Sequence, residues 1–193
     1  MPASRWEAVL AGEGGQGLVV GGVILGEAAV EEGLQAVQSQ WVLGSAARGS
    51  LSRSEVVVSA GEIAFPRVLR ARALIALSPE ALKRHLGLLA PGTLVIVDSD
   101  RVPEPADLDP GMDVRSLPIL REAESLGLGR SVNVLALGVL VGLTGVVRPG
   151  SVRTVLARRF GDKAGPNLRA FRAGMELAAG SSSPPSSSGQ ARP

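Results

Sequence analysis

One stretch of the sequence restricts the fold more than any other, because it predicts two buried strands joined by a helix. Two apolar runs, at residues 72–78 and 93–99, flank a helical segment that begins at Ser78-Pro79-Glu80 and ends near Leu89. Serine is a favourable N-cap, proline fits the first helical turn, and Pro91-Gly92 marks a turn before the second strand. Parallel strands need such a helical crossover, so this stretch indicates an α/β protein with a parallel sheet.

The rest of the chain extends this pattern into an alternating first half and a helical C-terminal third. Further strands are predicted at residues 6–11, 34–38, 54–59 and 112–118, and further helices at 18–32, 119–126, 131–147, 150–160 and 166–179. Residues 39–50 show no clear periodicity and are predicted to form a loop, and a short apolar stretch at 63–65 is closed by Pro66. We therefore expect a three-layer, Rossmann-like α/β domain over residues 1–179, with a sheet that is largely parallel or mixed.

Two further segments are interpreted from their composition. Residues 180–193 are rich in serine and proline, cannot bury apolar surface, and should form a disordered tail. Residues 132–147 are almost wholly apolar but shorter than the ~20 residues that a membrane span needs, so we expect a buried helix and no contact with a membrane. Gly138 and Gly142 share one face of that helix and should allow close packing in the core or against another chain.

The composition excludes several classes of function. Because the chain contains no cysteine, it can hold no disulfide, no thiolate-bound iron–sulfur cluster and no cysteine nucleophile. A net charge of +2 and only three Phe and two Trp argue against a nucleic-acid partner. The N-terminal residues lack the long apolar region of a signal peptide, so we expect a cytoplasmic protein.

Residues 10–17, LAGEGGQG, carry the strongest local motif, with glycines spaced Gly-x-Gly-x-x-Gly between a strand and a helix. Such a turn brings backbone N–H groups close to an anion and is typical of dinucleotide sites. Those sites also need an acid at the end of the second strand, where this chain has residues 38–40, QSQ. The spacing alone leaves open an NAD or FAD site, another phosphate or cofactor contact, or strand-to-helix packing. The candidate binding residues of the turn are Gly12, Gly14, Gly15, Gln16 and Gly17.

A second candidate is Arg48-Gly49-Ser50, just before the strand predicted at 54–59. Arginine can bind a phosphate or a carboxylate through two parallel hydrogen bonds, so Arg48 and Gly49 are further candidate binding residues. A solvated loop arginine beside a turn glycine is the alternative.

Other polar residues favour structural roles over catalytic or metal-binding ones. His85 falls in a predicted helix as a surface or partly buried residue, and Asp98 and Asp100 are expected to cap a loop because no third metal ligand is evident. Three arginines are expected at a solvated edge or a subunit contact: Arg67, Arg70 and Arg72. Three others are expected on the polar face of a helix: Arg153, Arg158 and Arg159.

Several segments together resemble the gamma subunit of the 2-oxoacid:ferredoxin oxidoreductases, particularly the 2-oxoglutarate type. These segments, in consistent order between about residues 6 and 178, are GEGGQG (12–17), ARGSLSRSEVVVS (47–59), EIAFPRV (62–68), LIALSPEAL (74–82), LLAPGTLVIVDSDRV (88–102) and NVLALGVLVGLTGVV (133–147). Family members usually carry Ser-Tyr-Gly-Pro-Glu-x-Arg-Gly-Gly where residues 42–50 read VLGSAARGS. This chain therefore keeps Gly44, Arg48 and Gly49 of that run and lacks the tyrosine, proline, glutamate and last glycine.

The resemblance implies a subunit of a complex that oxidatively decarboxylates a 2-oxoacid, forms an acyl-CoA and passes electrons to ferredoxin. Thiamine diphosphate and iron–sulfur clusters would lie on companion alpha and beta subunits, with or without a delta subunit, and no catalytic residue or metal on this chain. Coenzyme A is a substrate of that complex, and this chain is expected to help bind it and to form a dimer or hetero-oligomer. The altered 42–50 stretch motivates the alternative, a stand-alone nucleotide- or phosphate-binding regulatory module diverged from this family.

Overall fold

A six-stranded mixed sheet forms the centre of the structure, a computed structural model that describes residues 5–42, 50–105 and 107–181. The strands are β1 (Trp6–Glu13), β2 (Gln35–Val42), β3 (Leu51–Ser59), β4 (Ala73–Ala76), β5 (Leu94–Asp98) and β6 (Asp113–Leu117). The helices are α1 (Leu18–Glu31), α2 (Pro79–His85), α3 (Ile119–Ser125), α4 (Val132–Thr144), α5 (Pro149–Phe160) and α6 (Ala164–Gly180). Short 3-10 turns lie at Leu86–Leu88, Gly129–Ser131 and Gly161–Lys163.

The strands lie in the order β2-β3-β1-β4-β5-β6. β1, β4, β5 and β6 run parallel to one another, whereas β3 runs antiparallel to both of its neighbours, β1 and β2. The expectation of a largely parallel or mixed sheet is therefore confirmed. The reversed strand separates β1 from β2, although α1 connects these two strands directly along the chain.

The prediction of a loop over residues 39–50 is wrong at its start. β2 continues to Val42, and its residues pair with β3 in an unbroken antiparallel register that ends with Val42 opposite Ser52. β3 likewise begins at Leu51, earlier than its predicted start at residue 54. The glutamine and serine residues of this segment hid the strand from a pattern-based prediction. An edge strand can expose such polar residues to water and therefore need not be apolar. The stretch at 63–65 forms neither helix nor strand.

Helices cover both faces of the sheet and give the expected three layers. Leu10 and Ile75 belong to the larger core, which also contains residues of α1, α3, α4, α5 and α6. Val9 and Leu74 face the other way, into a smaller core that includes residues of α2. Neighbouring residues enter different cores because successive side chains of a strand point to opposite faces.

The apolar helix predicted at 131–147 is α4, and it packs within this chain. Its residues from Val132 to Val141 are all buried. A Cβ atom added to Gly138 would collide with the carbonyl oxygen of Phe171 and lie 3.1 Å from Cα of Gly174, both on α6. The glycines thus allow close contact between α4 and α6. Among the described residues, no helix is long and apolar enough to cross a membrane.

Candidate functional site

The glycine turn lies at the carboxyl end of β1, the edge of a parallel sheet where ligands commonly bind in α/β proteins. Gly15 and Gly17 have φ angles of 96° and 74°, a left-handed conformation that favours glycine. Gly15 is exposed, and an added Cβ there would meet nothing within 4 Å. Gly12 is buried, and an added Cβ would collide with the side chain of Gln16. Gly12 therefore serves packing, whereas Gly15 borders open space.

Gln16 holds the turn in shape. Its side-chain Oε1 accepts a 2.9 Å hydrogen bond from the backbone amide of Glu13. Its backbone amide donates a 3.2 Å hydrogen bond to the carbonyl of Glu13. α1 begins directly after Gly17 and has no side-chain cap. Within the described part of the chain, the amides of Leu18, Val19 and Val20 have no acceptor, as is usual for a first helical turn. These N–H groups could face an anion bound at the turn.

The second candidate motif meets the turn at the same edge. The amide of Gly14 donates to the carbonyl of Ser50, and the hydroxyl of Ser52 lies 3.5 Å from the carbonyl oxygen of Gly12. Arg48 and Gly49 lie outside the described residues, but Ser50 follows them immediately in the sequence. The structure therefore joins the glycine turn to the residue that ends the Arg-Gly-Ser motif.

Asn133 is a residue at this edge that sequence reasoning missed. It is buried in the first turn of α4, and its Nδ2 donates a 3.0 Å hydrogen bond to the carbonyl of Gly17. Its position as the one polar residue in the apolar run 132–143 was a signal in the sequence. Asn133 therefore links α4 to the start of α1 and stabilises the end of the glycine turn.

Asp98 ends β5 and acts as a cap. Its Oδ1 accepts hydrogen bonds from the amides of Asp100 (3.1 Å) and Arg101 (3.0 Å), and its Oδ2 accepts one from Leu120 (2.8 Å). Both oxygens are thus engaged by backbone donors, as the capping interpretation expects. No group of three metal-ligating side chains occurs in the ranges that the structure describes.

A polar cluster lies on the opposite face of β2 and β3 from α1. Glu55 is almost completely buried, forms a 2.9 Å ion pair with Arg67, and also pairs with Arg53. Burial alone would raise the pKa of Glu55, but the hydrogen bonds from Arg67 and from the Val68 amide, together with the charge of Arg53, lower it overall. Glu55 is therefore an ionised, paired carboxylate at neutral pH.

Arg67, expected at a solvated edge or a subunit contact, is partly exposed and also joins Glu55 to an exposed aromatic ring. Its guanidinium carbon lies 5.1 Å from the ring centre of Trp41, and that of Arg53 lies 5.8 Å away. Such distances fit cation–π contacts. Trp41 remains 48% exposed.

His85 is more buried than the sequence suggested, with 1% of its surface exposed. Its Nδ1 lies 2.6 Å from the carbonyl oxygen of Ala81, to which it donates. Burial lowers the pKa of His85, and the hydrogen bond to Ala81 opposes this shift without cancelling it. His85 is therefore a neutral core residue that secures the end of α2.

The remaining arginines face solvent or neighbouring helices. Arg158 and Arg159 extend from α5 to the acids of α1, with Arg159 Nη1 2.8 Å from Glu27 Oε1 and Arg158 paired with Glu31. Arg153 is exposed on the same helix, and Arg70 and Arg72 are exposed before β4. None of these side chains lies at the glycine turn in the part of the chain described.

The geometry separates this chain from dinucleotide-binding proteins. In those folds the acid that binds ribose ends a strand next to β1. Here β3 occupies that place, and β2 lies two strand spacings away, about 9–10 Å. Fold and turn together define a three-layer α/β protein whose strand order differs from that of dinucleotide-binding folds.

The chain belongs to the pyruvate ferredoxin/flavodoxin oxidoreductase family, which matches residues 7–177. The family predicted from the sequence motifs is thus confirmed. Over 185 residues the chain is 39% identical to a 2-oxoglutarate synthase subunit KorC from Methanothermobacter thermautotrophicus, covering 90% of this chain and 95% of that relative. The KorC subunit from Methanocaldococcus jannaschii is 38% identical over 179 residues, with 90% and 94% covered.

A solved structure shows the same fold. The gamma subunit of a keto/oxoacid ferredoxin oxidoreductase from Geobacter sulfurreducens superposes with a TM-score of 0.81 at 36% identity. The match covers 93% of this chain and 99% of that subunit.

Proposed function

We propose that this chain is the gamma subunit of a 2-oxoacid:ferredoxin oxidoreductase complex that acts on 2-oxoglutarate. The observation that carries the proposal is the 38–39% sequence identity to 2-oxoglutarate synthase subunits over 90% of the chain. A shared fold alone would not select a substrate. In this reaction 2-oxoglutarate loses its carboxyl group as carbon dioxide, its acyl group passes to the thiol of coenzyme A, and the released electrons reduce ferredoxin.

Companion subunits must provide the redox chemistry. The sequence contains no cysteine to ligate an iron–sulfur cluster, and the described residues contain no cluster of metal-ligating side chains. Thiamine diphosphate, when bound by its companion subunits, supplies the electron sink for decarboxylation. This chain contributes to assembly and to binding of coenzyme A.

Coenzyme A carries phosphate groups, and the carboxyl ends of the strands offer backbone amides that can bind them. Gly15 leaves open space at the turn, and the first amides of α1 are oriented along the helix toward that edge. Arg48 precedes Ser50 by two residues in the sequence, and the Ser50 carbonyl is bonded to Gly14. Gly15 and Arg48 are therefore the residues we assign to phosphate contact, because the Gly14 amide is already bonded to Ser50. Gly12, Gly14, Gln16 and Gly17 shape the turn, and Gly49 stays a candidate because it adjoins Arg48 in the sequence.

The test is reconstitution of the complex from coexpressed alpha, beta and gamma subunits, including a delta subunit where the operon encodes one. We expect reduction of ferredoxin that requires both 2-oxoglutarate and coenzyme A, and no activity from this chain alone. A complex that forms and turns over equally well without this chain would contradict the proposal. A chain that stays apart from these subunits and binds a nucleotide alone would favour the regulatory-module alternative.

Within the active complex, Arg48→Ala tests the assignment of coenzyme A. Loss of charge-assisted hydrogen bonds should raise the apparent KM for coenzyme A by roughly ten- to a hundredfold while the KM for 2-oxoglutarate stays unchanged. Arg48→Lys should recover only part of the effect, since an ammonium cannot form the two parallel bonds of a guanidinium. An unchanged KM for coenzyme A in both variants would show that Arg48 is a structural loop residue.

A further inference from the structure

The two edges of the sheet differ in how they are protected against pairing with another chain. β6, at one edge, is short, carries Asp113 and Arg115, and is held by a 2.8 Å hydrogen bond from Arg115 to the carbonyl of Ser181 at the end of α6. β2, at the other edge, spans Gln35–Val42 and contains no charged residue, no proline and no break in its register with β3. Charges, proline and short length are the usual devices that keep an edge strand from pairing. β2 lacks all of them.

Clefts lie on both faces beside this unprotected edge. On the α1 face lies a cleft of about 290 Å³. Its apolar lining includes Val23, Val30 and Ala36, and Gln38, Glu27, Glu31 and Arg158 form its polar part; Val30 is 58% exposed. On the opposite face a cleft of about 470 Å³ is lined by Gln35, Val37 and the turn after β3. A strand added to an edge gains affinity from backbone hydrogen bonds and specificity from pockets that take its alternate side chains. β2 therefore has both parts of a strand-docking site.

We propose that the occupant is β2 of a second copy of this chain, added antiparallel across a two-fold axis at Gln38. Because directly opposed residues of paired strands share a face, this register places Gln38 opposite itself, Ala36 opposite Gln40 and Gln35 opposite Trp41. Trp41 points to the face of Arg53 and Arg67, which is also the face of the larger cleft beside Gln35. The indole of each copy then covers that cleft in the other.

The chemistry of the strand is self-complementary. A two-fold contact brings the residue on the axis against its own symmetry mate, so a charge at that position would face a like charge. The sequence QAVQSQWV has none. Trp41 is 48% exposed in the single chain although tryptophan is among the residues that contribute most when buried at interfaces. The contact joins the two sheets of the pair into one continuous sheet.

Sedimentation of the full chain over a series of protein concentrations tests the pairing. We expect a reversible dimer, with amides of residues 35–42 becoming slower in hydrogen exchange as the dimer forms. Gln38→Lys places two ammonium groups opposite each other at the axis and should abolish the dimer. Trp41→Ala should weaken dimerisation at least tenfold.

Matched variants distinguish this contact from a general effect of charge or lost apolar surface. Ser116→Lys adds the same charge to the β6 edge, and Phe65→Ala removes a ring that is also 48% exposed but lies outside β2. Both should leave the dimer unchanged, and thermal melting of each variant verifies folding. A chain that is monomeric at every concentration, or a dimer insensitive to Gln38→Lys, would overturn the proposal. Protection of residues 35–42 that arises only with companion subunits would overturn it as well, by showing that another chain covers β2. A dimer lost in Gln38→Lys but unaffected by Trp41→Ala would overturn the register.

Discussion

Substitution of Gly138 tests the contact between α4 and α6 on which the larger core depends. An ideal Cβ at this position would collide with the carbonyl oxygen of Phe171 and approach Cα of Gly174 to 3.1 Å and the Met175 amide nitrogen to 3.2 Å. All three are backbone atoms, so no side chain can rotate away, and the two helices must separate. Overpacking of this kind costs about 1–3 kcal/mol, and we expect Gly138→Ala to fall in that range.

For a domain of this length the cost corresponds to a fall in Tm of about 2–12 °C. Gly138→Leu should lower Tm by an amount at or beyond the upper end of this range, because three further carbons must fit where the Cβ atom already collides. The control is Gly129→Ala, at a glycine with ordinary φ and no atom within 4 Å of the added Cβ, which should change Tm little. Calorimetry or circular dichroism of the three variants provides the measurement. Equal melting temperatures for Gly138→Ala and Gly129→Ala would refute the packing argument.

Two further predictions concern the polar cluster and the glycine turn. Glu55→Gln should lower the free energy of unfolding at pH 7 by about 1–3 kcal/mol through the weakened pair with Arg67. Because the folded-state pKa of Glu55 is lowered, its ionised form stabilises the fold above the unfolded pKa. In denaturant titrations the difference between wild type and variant should start to shrink as the pH falls below about 4.5 and should vanish below the folded-state pKa. The isolated chain should not bind NAD(H), since β3 separates β1 from the strand that would carry the ribose acid; a micromolar dissociation constant by calorimetry would contradict this.

Local patterns predicted the elements that depend on local interactions. Ser78 caps α2 as expected, accepting a hydrogen bond from the amide of Ala81 (3.3 Å), and Pro79 lies in the first turn. The strands at 72–78 and 93–99 are the parallel pair β4 and β5. Their apolar runs are unambiguous because both faces of a central parallel strand are buried.

The edge of the sheet was harder to predict because its pairing is not local in character. Polar residues of β2 such as Gln40 lie at the edge, where alternation of polar and apolar residues need not be strict. Glu55 and Arg53 stand inside a strand that also contributes Val56 and Val57 to the cores. Only the tertiary structure shows that the buried Glu55 carboxylate also pairs with a distant residue, Arg67.

The glycine motif shows most clearly what spacing can and cannot establish. Gly12 is required because Leu18 and Gln16 pack against it, and Gly15 and Gly17 are required by their positive φ angles. All three requirements concern the segment between β1 and the first turn of α1, so the glycine spacing indicates a tight strand–turn–helix connection. A ribose site depends instead on which strand lies beside β1, and that choice is made by the pairing of β3 far along the chain. The motif and the ligand class are therefore separate properties, and the same glycines that serve NAD in one sheet order can serve a different phosphate ligand in another.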